Sequence, residues 1–167
     1  MKLFTALLAS AMLLSAAPAF AVNNSNNSSS SGGDLITAEN PDSVLAALKT
    51  LGYAGKLEKL KSGRTSITVT ISGLTTYVDF YDCADDLTDC FTLLFNATLD
   101  LSDGTNLDKA NEWNSKQITG RVWLDDQKDP TLDYSVTTSD GIPAEAFAQN
   151  LKLWDRKIGD FKDFFNF

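Results

Sequence analysis

The sequence contains no histidine, and with it go the commonest general base, the Ser/His and Cys/His nucleophile pairs, and most zinc and copper sites. It is also short of cations. Fourteen basic residues against 22 acidic ones leave a formal net charge of −8, so the broad basic surface that nucleic acid or anionic lipid demands is missing. No Walker loop, dinucleotide fingerprint or calcium-hand loop occurs. Beyond the first 21 residues no apolar run is long enough to span a bilayer, and neither Cys83 nor Cys90 stands where a lipid anchor would need one. These absences exclude a nucleic-acid partner, a membrane anchor and a cofactor of the common kinds, and the chain is not expected to be an enzyme. Paired carboxylates can hydrolyse glycosides without histidine, but nothing in the sequence sets two of them across a cleft.

What is present begins with a leader. Lys2 supplies a positive n-region, Leu3 to Leu14 an uncharged apolar stretch, and Ala19-Phe20-Ala21 the small-x-small site of a signal peptidase. Residues 1–21 therefore read as a signal peptide, and the mature protein as periplasmic or secreted. Residues 22–33, nearly all Asn, Ser and Gly, cannot bury enough apolar surface to offset their ordering and read as a flexible leader. Residues 34–167 are then one domain, long enough for a real core. In an oxidising compartment Cys83 and Cys90 are expected to form a disulfide.

Periodicity sets the rest. Asn40-Pro41 starts a helix, with Asn40 as its cap, and Val44, Leu45, Leu48 and Leu51 as its apolar face. A weak strand over Lys56 to Lys61 precedes Ser66 to Ser72, where Ile67, Val69 and Ile71 alternate with polar residues. Gly73-Leu74 turns the chain into Thr75 to Tyr81, with Thr76, Val78 and Phe80 on one face and Tyr77, Asp79 and Tyr81 on the other. Phe91, Leu93, Phe95, Ala97, Leu99 and Leu101 share one parity, which predicts a central, buried strand. Thr105 is the expected cap of a second helix. A hairpin of Gly120 to Leu124 and Thr131 to Thr137 follows, joined by the acidic turn Asp125 to Pro130. Last comes a long helix striped with Phe147, Leu151, Trp154, Ile158, Phe161 and Phe165.

Three features are candidates for function. At about 100° per residue from Leu107, the positions Ala110, Asn111, Asn114 and Ile118 lie within about 60° of one direction, so Asn111 and Asn114 are expected on the buried face, with Trp113 on its flank, either pinned to neighbouring backbone or recognising a ligand. The acidic groups at Asp82, Asp85, Asp86 and Asp89, and at Asp125, Asp126 and Asp129, read first as solvated turns and second as calcium sites. Trp154, Ile158, Phe161 and Phe165 cover either the domain's own sheet or a partner.

Lys109-Ala110-Asn111-Glu112-Trp113-Asn114, followed by Gly120-Arg121-Val122-Trp123-Leu124-Asp125, by Asp129-Pro130-Thr131-Leu132 and by a long helix carrying Leu153-Trp154, resembles the YbjN family of bacterial sensory-transduction regulators. The resemblance covers about Leu35 to Phe165. It implies an α+β domain similar to type III secretion chaperones, with helices packed on an antiparallel sheet in the order α-β-β-β-β-α-β-β-α, and frequent dimers; it brings no catalytic residues. The signal peptide and the cysteine pair depart from a cytoplasmic regulator. The expected function is an exported, non-enzymatic, polypeptide-binding module with a protein partner or a second copy. The alternative is a periplasmic sensor of a small ligand or metal ion.

Overall fold

A computed structural model describes residues 35–167; the expected signal peptide over 1–21 and the flexible leader over 22–33 lie outside the described residues. The elements are α1 (Pro41–Thr50), β1 (Lys56–Lys59), β2 (Thr65–Ile71), β3 (Leu74–Tyr81), β4 (Thr92–Thr98), α2 (Leu107–Lys116), β5 (Arg121–Leu124), β6 (Pro130–Thr137) and α3 (Ala144–Phe165). The strands form a six-stranded antiparallel sheet in the order β1-β2-β3-β4-β6-β5. This is the α+β architecture and the element order that the sequence implies.

Alternation along the strands sends the apolar residues to one side. Ile67, Val69 and Ile71 of β2, Val78 and Phe80 of β3, Leu93, Phe95 and Ala97 of β4, and Leu132 and Val136 of β6 are all buried, and their registers place them on the same face. The hairpin β2–β3 turns at Ser72 and Gly73, one residue earlier than the expected Gly73-Leu74. Both have positive φ, 48° and 76°, the mirror-image turn whose twist suits a two-residue hairpin. β4 is central, as its parity predicts, but its register starts at Thr92, and Phe91 is 43% exposed.

α3 lies across that apolar face. Phe147, Leu151, Trp154, Ile158, Phe161 and Phe165 are all buried. Phe95 packs its ring against Phe147 and Trp154 at centroid distances of 6.5 and 5.9 Å, and the Trp154 indole N–H donates to Thr76 Oγ1 at 3.2 Å. Of the two readings open for Trp154, Ile158, Phe161 and Phe165, the domain's own sheet holds, and the possible partner interface is corrected here. A sheet with one apolar face must cover it, and α3 is the element that does so, which leaves these four side chains inaccessible in a single chain.

Several local expectations are also revised. Leu51 is 40% exposed, so only Val44 and Leu48 of α1 are fully buried. Asn40 makes no side-chain cap; Pro41 already removes one orphan donor, and the Ser43 hydroxyl donates to the Asn40 carbonyl while accepting from Thr37 N–H. α2 is capped by Asn106, whose Oδ1 accepts from Lys109 N–H at 2.9 Å. The expected cap, Thr105, instead donates its backbone N–H to Lys128 carbonyl at 2.8 Å.

The first described residues are tied to the far end of the sheet. Ile36 and Ile142 exchange backbone hydrogen bonds. The buried Thr138 hydroxyl accepts from Ala38 N–H at 2.8 Å and donates to the Phe91 carbonyl at 3.2 Å.

Candidate functional site

α2 does not present the face that its apolar spacing suggests. Leu107 and Ile118 are exposed, at 69% and 102%, while Ala110 and Trp113 are buried. The reason is position: α2 stands at the end of the sheet beside β5, and its inward side meets α3 and a strand edge. The Trp113 ring packs edge-on against Phe161 and Phe164 at 5.7 and 5.4 Å, and its indole N–H donates to Gly120 carbonyl at 3.0 Å. Asn114 acts as a strand in miniature. Its Nδ2 donates to Val122 carbonyl at 2.9 Å and its Oδ1 accepts from Val122 N–H at 2.8 Å. Against the expected burial, Asn111 and Asn114 are both exposed, and the structure does not join them in one site. Of the two readings open for these asparagines, Asn114 takes the pinning one.

The acidic turns are used by their own backbone. Cys83 and Cys90 are joined in a disulfide that closes the β3–β4 loop. Within it Asp86 Oδ1 accepts from both the backbone N–H and the hydroxyl of Thr88, and the hydroxyl bond holds the Asp86 carboxyl below the usual range. In the later turn Asp125 Oδ1 accepts from Gln127 and Asp129 N–H, and Asp129 Oδ1 from Leu101 N–H. That turn also abuts Gly104, whose φ of +61° and close approach to Lys128 leave no room for a Cβ. Among the described residues no three acidic or sulfur-bearing side chains converge as a metal site.

The part of the molecule that offers a surface is the other face of the sheet. No described helix covers it, since α1 and α3 pack on the apolar side and α2 at the β5 edge. Register sets its residues in rows: Lys56, Thr68, Tyr77, Asn96, Asp133 and Arg121 stand opposite one another from β1 to β5. A neighbouring row carries Glu58, Ser66, Asp79, Leu94 and Ser135. Tyr77 and Trp123 are 41% and 44% exposed, and Leu94 is half-buried among the polar groups.

Hydrogen bonds fix this face. Asn96 Nδ2 donates to Asp79 Oδ2 at 2.8 Å, the Arg121 guanidinium donates to the buried Asp133 carboxylate, and Thr68 Oγ1 donates to Glu58 Oε1 at 2.9 Å. The Lys56 ammonium, with that Thr68 hydroxyl, holds the Glu58 carboxyl below its ordinary value. Ser66 Oγ and Asp79 Oδ1, opposite each other on β2 and β3, are buried with no hydrogen-bond partner among the described residues. Beside Asp79 the Arg64 guanidinium lies 4.0 Å from the centroid of the Tyr81 ring. Asp79 and Asp133 stand two strands apart and in neighbouring rows. The chemistry available here is stacking and hydrogen bonding over a broad surface.

Sequence reasoning placed Tyr77, Asp79 and Tyr81 on the outer parity of β3 but assigned them no role. Trp123 and Arg121 carry the same signal, the off-parity positions of a strand whose Val122 points inward.

A family model named YbjN and described as "Putative bacterial sensory transduction regulator" matches residues 40–167. A solved structure titled "Crystal structure of YbjN, a putative transcription regulator from E. coli" superposes with a TM-score of 0.54 at 18% identity, over 74% of this chain and 88% of that one. That likeness concerns the fold. No curated protein sequence matches this chain.

Proposed function

Since the chain belongs to the YbjN family, over residues 40–167, we propose that it is a regulatory module that acts by binding polypeptide, exported from the cytoplasm and without catalytic activity of its own. The observation that carries this reading is the uncovered sheet face. It sets two exposed aromatic side chains, Tyr77 and Trp123, and the half-buried Leu94 among ordered donors and acceptors. Amphipathic rings on a rigid scaffold, set among hydrogen-bonding groups, are how polypeptide surfaces are commonly held. The leader read over residues 1–21 and the Cys83–Cys90 disulfide support export.

A photoreactive amino acid placed at position 77 or 123, in cells that make the protein, should yield adducts with polypeptide. The same probe at Lys152, on the outer side of α3, should not. Absence of polypeptide adducts at both sheet positions would overturn the reading.

A small-ligand sensor is the second reading, favoured by a cleft of about 560 Å³ between α2 and the β5–β6 turn, lined by Asn106, Leu107, Asp108, Leu124, Asp125 and Lys128. A rise in melting temperature with calcium or a metabolite panel, lost in Asp108→Asn, would select it.

A further inference from the structure

Both edges of the sheet are four-residue strands, but they are finished differently. In an antiparallel pair, backbone groups of successive residues point alternately towards the neighbouring strand and away from it. On β5 the outward groups are those of Val122, of the preceding Gly120 and of Leu124. Side chains of α2 hold them: Trp113 bonds Gly120 carbonyl, and Asn114 bonds both the N–H and the carbonyl of Val122. The centre of this edge is sealed, and among the described residues only Leu124, at its end, has no such partner.

On β1 the alternation follows from two directions. Ile71 and Leu74 flank a two-residue turn and form a hydrogen-bonded pair, so Ile67 and Val69 bond towards β3, and Ser66 and Thr68 towards β1. Independently, Leu60 N–H donates to Arg64 carbonyl at 2.8 Å, which gives the same phase. Lys56 and Glu58 therefore direct their backbone groups at β2, whereas Gly55, Leu57 and Lys59 turn theirs outward. Among the described residues no hydrogen bond meets them there.

We propose that a second copy of this chain pairs on this edge, β1 against β1, antiparallel and two-fold symmetric about Leu57. In that register Leu57 faces the partner's Leu57 as a hydrogen-bonded pair, and Lys59 exchanges bonds with the partner's Gly55. Lys56 then stands directly opposite the partner's Glu58, and Glu58 opposite the partner's Lys56, on the uncovered face. Leu60, 39% exposed in one chain, falls opposite the partner's Ala54. Lysines on an edge strand ordinarily discourage pairing. Here the two-fold register converts Lys56 into a cross-strand ion pair, in a chain otherwise short of cations. A foreign strand would find the same backbone groups but would have to supply the charge pattern itself. Because the edge is short and buries little surface, the dimer is weak and concentration-dependent. It would join the two uncovered faces into one surface.

The test is sedimentation of the protein as purified from the cell, over a wide concentration range, with hydrogen exchange at both ends of that range. A reversible dimer is expected, with the Leu57 and Lys59 amides slowing as concentration rises. Lys56→Glu places like charges opposite each other twice and should weaken the dimer about tenfold. Adding Glu58→Lys to that variant restores opposite charges and should recover it. Lys56 is exposed at its side chain (77%), so these variants keep the fold, which the melting temperature checks. A protein that stays monomeric throughout, or a dimer indifferent to Lys56→Glu with freely exchanging Leu57 and Lys59 amides, overturns the proposal.

Discussion

At the scale of single residues, Asn114 shows how one amide can finish a sheet. Its side chain supplies a donor and an acceptor with the spacing of a peptide group, and both meet Val122. Each such bond contributes about 0.5–1.5 kcal/mol net, and the site is only partly buried, so water regains some of the loss when the amide is removed. Asn114→Ala is therefore expected to lower stability by about 1–2 kcal/mol in urea unfolding, with faster exchange of the Val122 amide. A loss below a few tenths of a kcal/mol would mean that β5 keeps its place without it. Glu112, on the same helix, is held below its ordinary pKa, first by the hydrogen bond from Lys116. Tyr134 moves the other way, half-buried against α3 and raised by desolvation, where its hydroxyl donates to Asn150 Oδ1.

At the scale of elements, legibility depended on where each one sits. β2, β3 and α3 face a single apolar layer, so Ile67, Val69 and Ile71, Val78 and Phe80, and the stripe from Phe147 to Phe165 carry a clean period that burial reproduces. α2 has no such layer. Standing at a strand edge, it buries Ala110 and Trp113 and spends Asn114 on backbone, while Leu107 and Ile118, which set the expected phase, are exposed. Apolar residues in a short helix are a poor guide when its partner is the rim of a sheet. The uncovered face was legible only as parity: Tyr77 and Asp79 could be placed outside, but the hydrogen bond between Asp79 and Asn96 depends on which strands become neighbours. α3 also contains a weak point. Gly159 lies in the helix interior with no atom within 4 Å of the position its Cβ would take, so Gly159→Ala should stabilise the protein by roughly 0.5–1 kcal/mol. Thermal unfolding reads this directly, and a fall in melting temperature would show that the helix is closely approached there.

At the scale of the whole molecule, the expectation that joins sequence to compartment is chemical. Protein recovered from its native compartment should have an intact mass corresponding to a chain that starts at Val22, with no thiol open to alkylation before reduction; retention of Met1 to Ala21, or two free thiols, would place it elsewhere. The long-range tie at the start of the domain bears on how such a chain comes to be folded. Ile36 and Ala38 find their partners at Ile142 and Thr138, about a hundred residues downstream, and the sheet's apolar face is closed by α3, the last element made. Loop closure over such a span gains nothing until both ends exist. Synthesis from the amino terminus therefore leaves Ile36 and Ala38 without their contacts, and the sheet without its cover, until α3 has been made. The domain's packing is thus completed only when its two ends in sequence, Ile36 and α3, are both in place.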